Sequence, residues 1–160
     1  MEYLFVKWLH VLFSTLLFGT GIGSAFYLLV ATLSRDLRFV AGVTAWVVRA
    51  DWLFTATTAV LQPVTGFWML HLAGIPVATP WVKASLILYA LAIACWLPVV
   101  WLQMRLRDLA AQALAHDYAL SPAYWRCFLA WVALGVPAFL AFLGIFWLMI
   151  AKPGSLPGLS

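Results

Sequence analysis

The chain has 160 residues, of which 66% are hydrophobic and 9% charged, and its mean hydropathy is +1.04. Soluble domains carry about 25% charged residues, and a water-soluble fold of this length cannot bury so much apolar surface. A soluble enzyme or binding module is therefore excluded. The net charge of +4 does not point to nucleic acid, because the basic residues are scattered rather than gathered into a phosphate-binding patch; membrane topology accounts for them better.

The first apolar stretch runs from about residue 3 to 33, longer than the roughly 20 residues needed to cross a bilayer. Lys7 ahead of an apolar run gives it the look of a signal peptide. The run is too long for that, and its small-residue segment Gly19-Thr20-Gly21-Ile22-Gly23-Ser24-Ala25 is followed by more apolar chain. It reads as a transmembrane helix that stays. His10, in Lys7-Trp8-Leu9-His10, lies about two turns inside it. An ionisable group at that depth is a functional-site candidate. Its helical stripe continues through Ser14, Leu17, Gly21 and Ser24, small or polar positions that let another helix or a flat ligand come close.

The second stretch, from about residue 38 to 73, is expected to begin on the cytoplasmic side before entering the membrane. Within it Asp51, Thr55, Thr58, Gln62 and Thr65 recur at spacings of four, three, four and three, which puts all five on one stripe of an α-helix. The remaining surface is Trp, Leu, Phe, Val and Ala. Such a stripe faces protein, a cofactor or water while the rest faces lipid. It reads first as structural hydrogen bonding across helices, with Arg49 and Asp51 a possible interfacial pair. A proton or polar-substrate route starting at Asp51 is the functional alternative. His71 lies near the outer end of this span.

The third stretch covers about residues 81 to 107 and the fourth about 122 to 152. Pro80 and Pro122 suit helix starts. Internal Pro63, Pro98 and Pro137 predict kinks. Arg35, Arg38 and Arg49 flank the first connection and Arg105, Arg107 and Arg126 the third, against Lys7, Lys83 and Lys152 on the other side. This bias puts the Arg-rich connections in the cytoplasm and both termini outside. The expected architecture is all-α: a single domain over residues 1–160 forming an antiparallel four-helix transmembrane bundle.

In that topology His10, His71 and Lys83 lie toward the same face of the membrane. Facing imidazoles, aromatic walls and glycines that open space suit a b-type haem, with cations near the propionates. Hydrogen bonding to a neighbouring helix is the plainer role for His10, and a place at the headgroups for His71. His116, beside Asp117, reads as a solvated loop residue. No CxxCH motif occurs, so covalent haem is excluded. Cys95 and Cys127 are expected at different depths and unpaired. The four methionines make no cluster of soft ligands for copper. Of the tryptophans, Trp8, Trp68 and Trp81 fit an outer aromatic belt and Trp46, Trp101 and Trp125 an inner one. Trp52, Trp96, Trp131 and Trp147 are left as possible pocket walls.

Lys7-Trp8-Leu9-His10, with the Gly-rich segment after it, resembles the four-span families grouped around the copper-resistance CopD membrane domain. That group includes the HemJ-type membrane protoporphyrinogen oxidase and the membrane part of certain urate oxidases. Ala50-Asp51-Trp52, Gln62-Pro63-Val64-Thr65-Gly66, Cys95-Trp96-Leu97-Pro98-Val99-Val100-Trp101 and Gly135-Val136-Pro137 resemble a bacterial inner-membrane family of that group, with which no activity comes. The HemJ-type resemblance rests on Lys7-x-x-His10 and on Lys83 two residues after Trp81. It implies b-type haem, with His10 and Lys83 as site positions. The expectation is an inner-membrane protein associated with haem b, an electron-transfer protein or oxidoreductase subunit. His10 and His71 would ligate iron, and Lys83, Ser14 and Gly21 would line the site. The alternative is a non-catalytic accessory or transport subunit of a membrane complex. The lipid bilayer is the expected partner, with a complex partner or second copy possible and no nucleic acid.

Overall fold

The computed structural model describes residues 1–154. Helix α1 (Glu2–Ser34) turns at Arg35, which takes a left-handed conformation at φ 58°. Asp36 then caps α2 (Leu37–Ala50), its carboxylate accepting from the backbone N–H of Arg38 and Phe39 at 2.9 and 3.2 Å. Such a cap satisfies the unpaired amides of a first helical turn. A π-helical turn, Asp51–Thr55, joins α2 directly to α3 (Ala56–Ala73), so that residues 37–73 form one span. Gly74, at φ 64°, ends it, a backbone conformation that costs glycine nothing. Helices α4 (Pro80–His116) and α5 (Pro122–Ala151) both start on proline, and the Ser121 hydroxyl caps α5 at 3.2 Å from the Tyr124 amide.

These are four helices long and apolar enough to cross a membrane, and the described residues contain no strand. The all-α four-helix membrane architecture expected from the apolar stretches is the one observed. The second span and α4, at 37 residues each, are about 55 Å long at 1.5 Å per residue, well beyond a hydrocarbon core of about 30 Å. At the Arg-rich end α2 packs on α4.

The larger buried cluster lies at that end, and a smaller one of Trp81, Val82 and Leu148 joins α4 to α5 at the other. Leu28 and Ala31 of α1, Val40 and Val47 of α2, Leu102 and Leu106 of α4, and Tyr124 and Phe128 of α5 form one buried cluster. The Thr32 and Tyr124 hydroxyls bond within it at 2.8 Å, tying α1 to α5. Toward the other end the bundle divides. There α1 packs on α3 and α4 on α5, while α3 makes no extensive packing with α4 or α5. The gap between the two helix pairs is the cavity described below.

The three internal prolines do not interrupt their helices. At Pro63 the reason is visible. Proline lacks the N–H that would bond the carbonyl four residues back, here Ala59, and the Tyr89 hydroxyl of α4 donates to that carbonyl instead. Both cysteines are free. Trp46 lies under the Arg49 guanidinium at 4.9 Å and Trp125 under Arg35 at 5.9 Å. These cation–π contacts sit at the Arg-rich end, where the inner belt was expected. Trp131 is a buried member of the core, and Trp52 and Trp147 are exposed.

Candidate functional site

The stripe on the second span is built as its spacing requires: Asp51, Thr55, Thr58 and Thr65 are buried and Gln62 half-buried. The π-helical turn at Asp51–Thr55 was not foreseen; such single turns occur mostly as local bulges, frequently at functional sites. Asp51 is 4% exposed and does not pair with Arg49, whose guanidinium covers Trp46. Among the described residues it makes no ion pair. The indole N–H of Trp96 on α4 donates to its carboxylate oxygens at 3.1 and 3.4 Å. Trp96 is therefore a partner of the stripe rather than a bare pocket wall. The Thr55 hydroxyl, one turn on, is buried with no hydrogen-bond partner. Thr58 donates back to the Phe54 carbonyl at 2.5 Å.

At its Thr65 end the stripe meets α1 at His10. The Thr65 hydroxyl donates to the Leu61 carbonyl at 2.9 Å. Its lone pair is then free to accept from His10 Nδ1–H, also at 2.9 Å. The ring proton thus sits on Nδ1, and Nε2 accepts from the Gln62 amide nitrogen at 3.1 Å. Gln62 Oε1 is buried and unpaired. Gly66 makes room for the ring, since a Cβ there would lie 3.3 Å from His10 Cε1. Nearer the end of α3, the Trp68 N–H donates to Glu2 at 3.1 Å and holds α3 against α1.

His10, Gln62 and Gly66 form one wall of a cavity of about 450 Å³ between the two helix pairs, within the range of small-molecule and cofactor sites. Ser14 and Tyr89 add hydroxyls, and Phe142, Phe146 and Met149 of α5 form the opposite apolar wall. Lys7 and Lys152 also line it, and Lys152 Nζ lies 5.7 Å from the Trp81 ring centroid.

The structure brings His10, Ser14, Gln62 and Thr65 together and leaves the other expected positions apart. His71 and Lys83 are exposed and do not line the cavity. Gly21, on the His10 stripe, lies deeper along α1 and is exposed, with nothing within 4 Å of the place a Cβ would take. Reading α1 to α3 for site residues missed Tyr89, Lys152 and the α5 aromatics. It also missed Met69 and Met149, which line the same cavity although they are distant in sequence. Among the described residues no three His, Cys, Asp or Glu side chains group to hold a metal ion.

Asp51→Asn should leave the fold intact, because the amide oxygen keeps accepting from Trp96. Asp51→Leu should strand that indole N–H. Interhelical hydrogen bonds in membranes average about 0.6 kcal/mol. In detergent unfolding the Asn variant should therefore match the parent to within about that amount, and the Leu variant should fall below both. An Asn variant that fails to fold would show that the negative charge itself holds the bundle together.

The chain belongs to the family described as predicted integral membrane protein (DUF2269), whose family model matches residues 4–153. No curated protein and no solved structure matches it. It is thus a multi-pass integral membrane protein, with its exposed apolar helix faces against lipid.

Proposed function

We propose that the protein holds a b-type haem in the outer cavity, with His10 as the iron ligand, and serves in electron transfer or as an oxidoreductase subunit of the bacterial inner membrane. The observation that carries this reading is the environment of the His10 ring. Its Nδ1–H is fixed by Thr65, the kind of second contact that orients metal-ligating histidines. Its Nε2 lone pair, on the cavity side of the stripe, is held only by the Gln62 amide. Gln62 gains nothing at its other end, where Oε1 is unpaired, so turning this side chain aside costs one hydrogen bond.

Among the described residues His10 is the histidine that lines the cavity and would ligate the iron, and the thioethers of Met69 and Met149, which line the same cavity, would be the sulfur donors available to it. Lys7 and Lys152, which line the cavity, would pair with propionates. The bound group would supply one-electron chemistry; the chain supplies an apolar enclosure, the ligating nitrogen and its orientation. The resemblance of Lys7-x-x-His10 to the HemJ-type proteins supports the same reading.

Hemin titrated into the detergent-purified protein should bind one to one, with a shifted and sharpened Soret band. His71→Ala and His116→Ala should titrate like the parent, because neither side chain lines the cavity. A folded protein that leaves the hemin spectrum unchanged contradicts the proposal.

A second reading, an accessory or transport subunit with a polar interhelical path, is favoured by the ion-pair-free carboxylate of Asp51 and the unpaired Thr55 hydroxyl. For either reading we place both termini outside and the two Arg-rich loops in the cytoplasm. Single-cysteine labelling in intact cells checks this. Gly154→Cys should react with a membrane-impermeant maleimide and Ser121→Cys should not; the reverse pattern would invert the topology.

A further inference from the structure

The cavity has two lateral flanks, and they are built differently. Between α1 and α5 the Phe18 ring packs on Phe139, Phe142 and Phe146 at centroid distances of 5.7, 6.1 and 5.0 Å. Stacked and edge-on aromatic packing of this kind joins the two helices at the level of Phe18. Between α3 and α4, the hydrogen bond that crosses, among the described residues, is the one from the Tyr89 hydroxyl to the Ala59 carbonyl. Outside it runs an apolar groove walled by Ala56, Val60, Val64, Ile93 and Trp96. Val60 and Val64 are 65% and 54% exposed on a membrane-spanning helix. Groove and cavity share Pro63, Phe67 and Tyr89, so these side chains form the partition between lipid and interior.

The partition rests on one helix defect. Pro63 leaves the Ala59 carbonyl without its intrahelical donor, and hydrocarbon offers none. Tyr89 fills the gap. Releasing that bond breaks no helical hydrogen bond, because the helix never had one there. A hydroxyl that can swing away at the cost of one contact, between a lipid-facing groove and a cavity, is a latch.

We propose that the ligand of this cavity is a bilayer-dissolved molecule, admitted between α3 and α4 past Tyr89, and not a water-soluble one taken in from the aqueous phase. The inference rests on the reading that the cavity binds a ligand, and not on that ligand being haem. It sets the ligand class as apolar enough to partition into membranes, with a polar group for His10, Gln62 or Ser14 to meet.

The test uses Ser14→Cys as a reporter inside the cavity, in a Cys95→Ala, Cys127→Ala chain reconstituted in liposomes. N-phenylmaleimide dissolved in the bilayer should modify it faster than a charged, membrane-impermeant thiosulfonate supplied from the water. Val64→Trp, which fills the groove with a side chain already directed at lipid, should slow the maleimide severalfold and leave the charged reagent unaffected. Tyr89→Phe should speed the maleimide about threefold, the equivalent of one interhelical hydrogen bond. The proposal fails if Val64→Trp reacts at the parent rate, if the charged reagent is the faster, or if Ser14→Cys reacts with neither. An unchanged rate in Tyr89→Phe removes the latch. A chain that labels through the groove but leaves the hemin spectrum unaltered keeps the lateral entrance and loses the haem. One that takes up hemin while Val64→Trp labels at the parent rate does the reverse.

Discussion

His10→Ala abolishes haem uptake in this account and lowers stability only modestly. Among the described residues the ring is the only imidazole lining the cavity, so its removal would leave contacts to the macrocycle edge and propionates but no imidazole for the iron. It also strands the Thr65 end of the stripe. Thr65 loses the Nδ1–H it accepts and Gln62 loses the Nε2 to which it donates. Two interhelical bonds at about 0.6 kcal/mol each put the cost near 1 kcal/mol, so the variant should stay folded and the loss of binding can be read directly. Gly66→Leu provides a second arm without touching the ligand. A Cβ at that position already lies 3.3 Å from His10 Cε1, and a full leucine side chain takes the space of the ring. Gly66→Ala needs a shift of only a few tenths of an ångström and should retain most binding. The ordering parent, Gly66→Ala, Gly66→Leu, His10→Ala in hemin affinity is the expected result. A His10→Ala protein that titrates like the parent would remove His10 from the site.

Leu106→Ala should be strongly destabilising. Leu106 is fully buried, at 0% exposure, in the cluster where α1, α2, α4 and α5 meet. Truncating a core leucine typically costs about 2–5 kcal/mol, depending on how far the surroundings relax into the void. Leu97 is the control on the same helix. It is 60% exposed and faces lipid, where acyl chains fill the vacated space as well as any side chain. Leu97→Ala should therefore leave detergent or urea unfolding almost unchanged. Equal losses at the two positions would mean that Leu97 packs against protein rather than lipid.

The spans, their order and the polar stripe were legible in the sequence because each depends on helical periodicity and apolar length alone. The same arithmetic bears on His71. It lies nine residues beyond Gln62, two and a half turns at 3.6 residues per turn, and so on the opposite side of the helix from Gln62. Membrane depth put His71 level with His10, but depth does not set direction. Gly21 shows the converse: it shares the His10 face yet lies too deep along α1 to border the cavity. Three features were out of reach because periodicity names a face and not its neighbour. Trp96, rather than Arg49, pairs with Asp51. Tyr89 finds the carbonyl that Pro63 leaves free. The helices close-pack at one end and part at the other, which makes Met149, Phe146 and Lys152 of the last helix neighbours of the first. The π-helical turn at Asp51–Thr55 left no mark in a stripe whose spacings are those of an ordinary α-helix.

The measurement that bears most directly on the proposed function is the absorption spectrum of the protein as purified from cells supplied with a haem precursor, before and after dithionite. The account predicts a Soret band that copurifies with the protein and an α-band that sharpens on reduction, as expected of b-type haem. A folded bundle that is colourless under those conditions, and remains so after hemin is added, would contradict it.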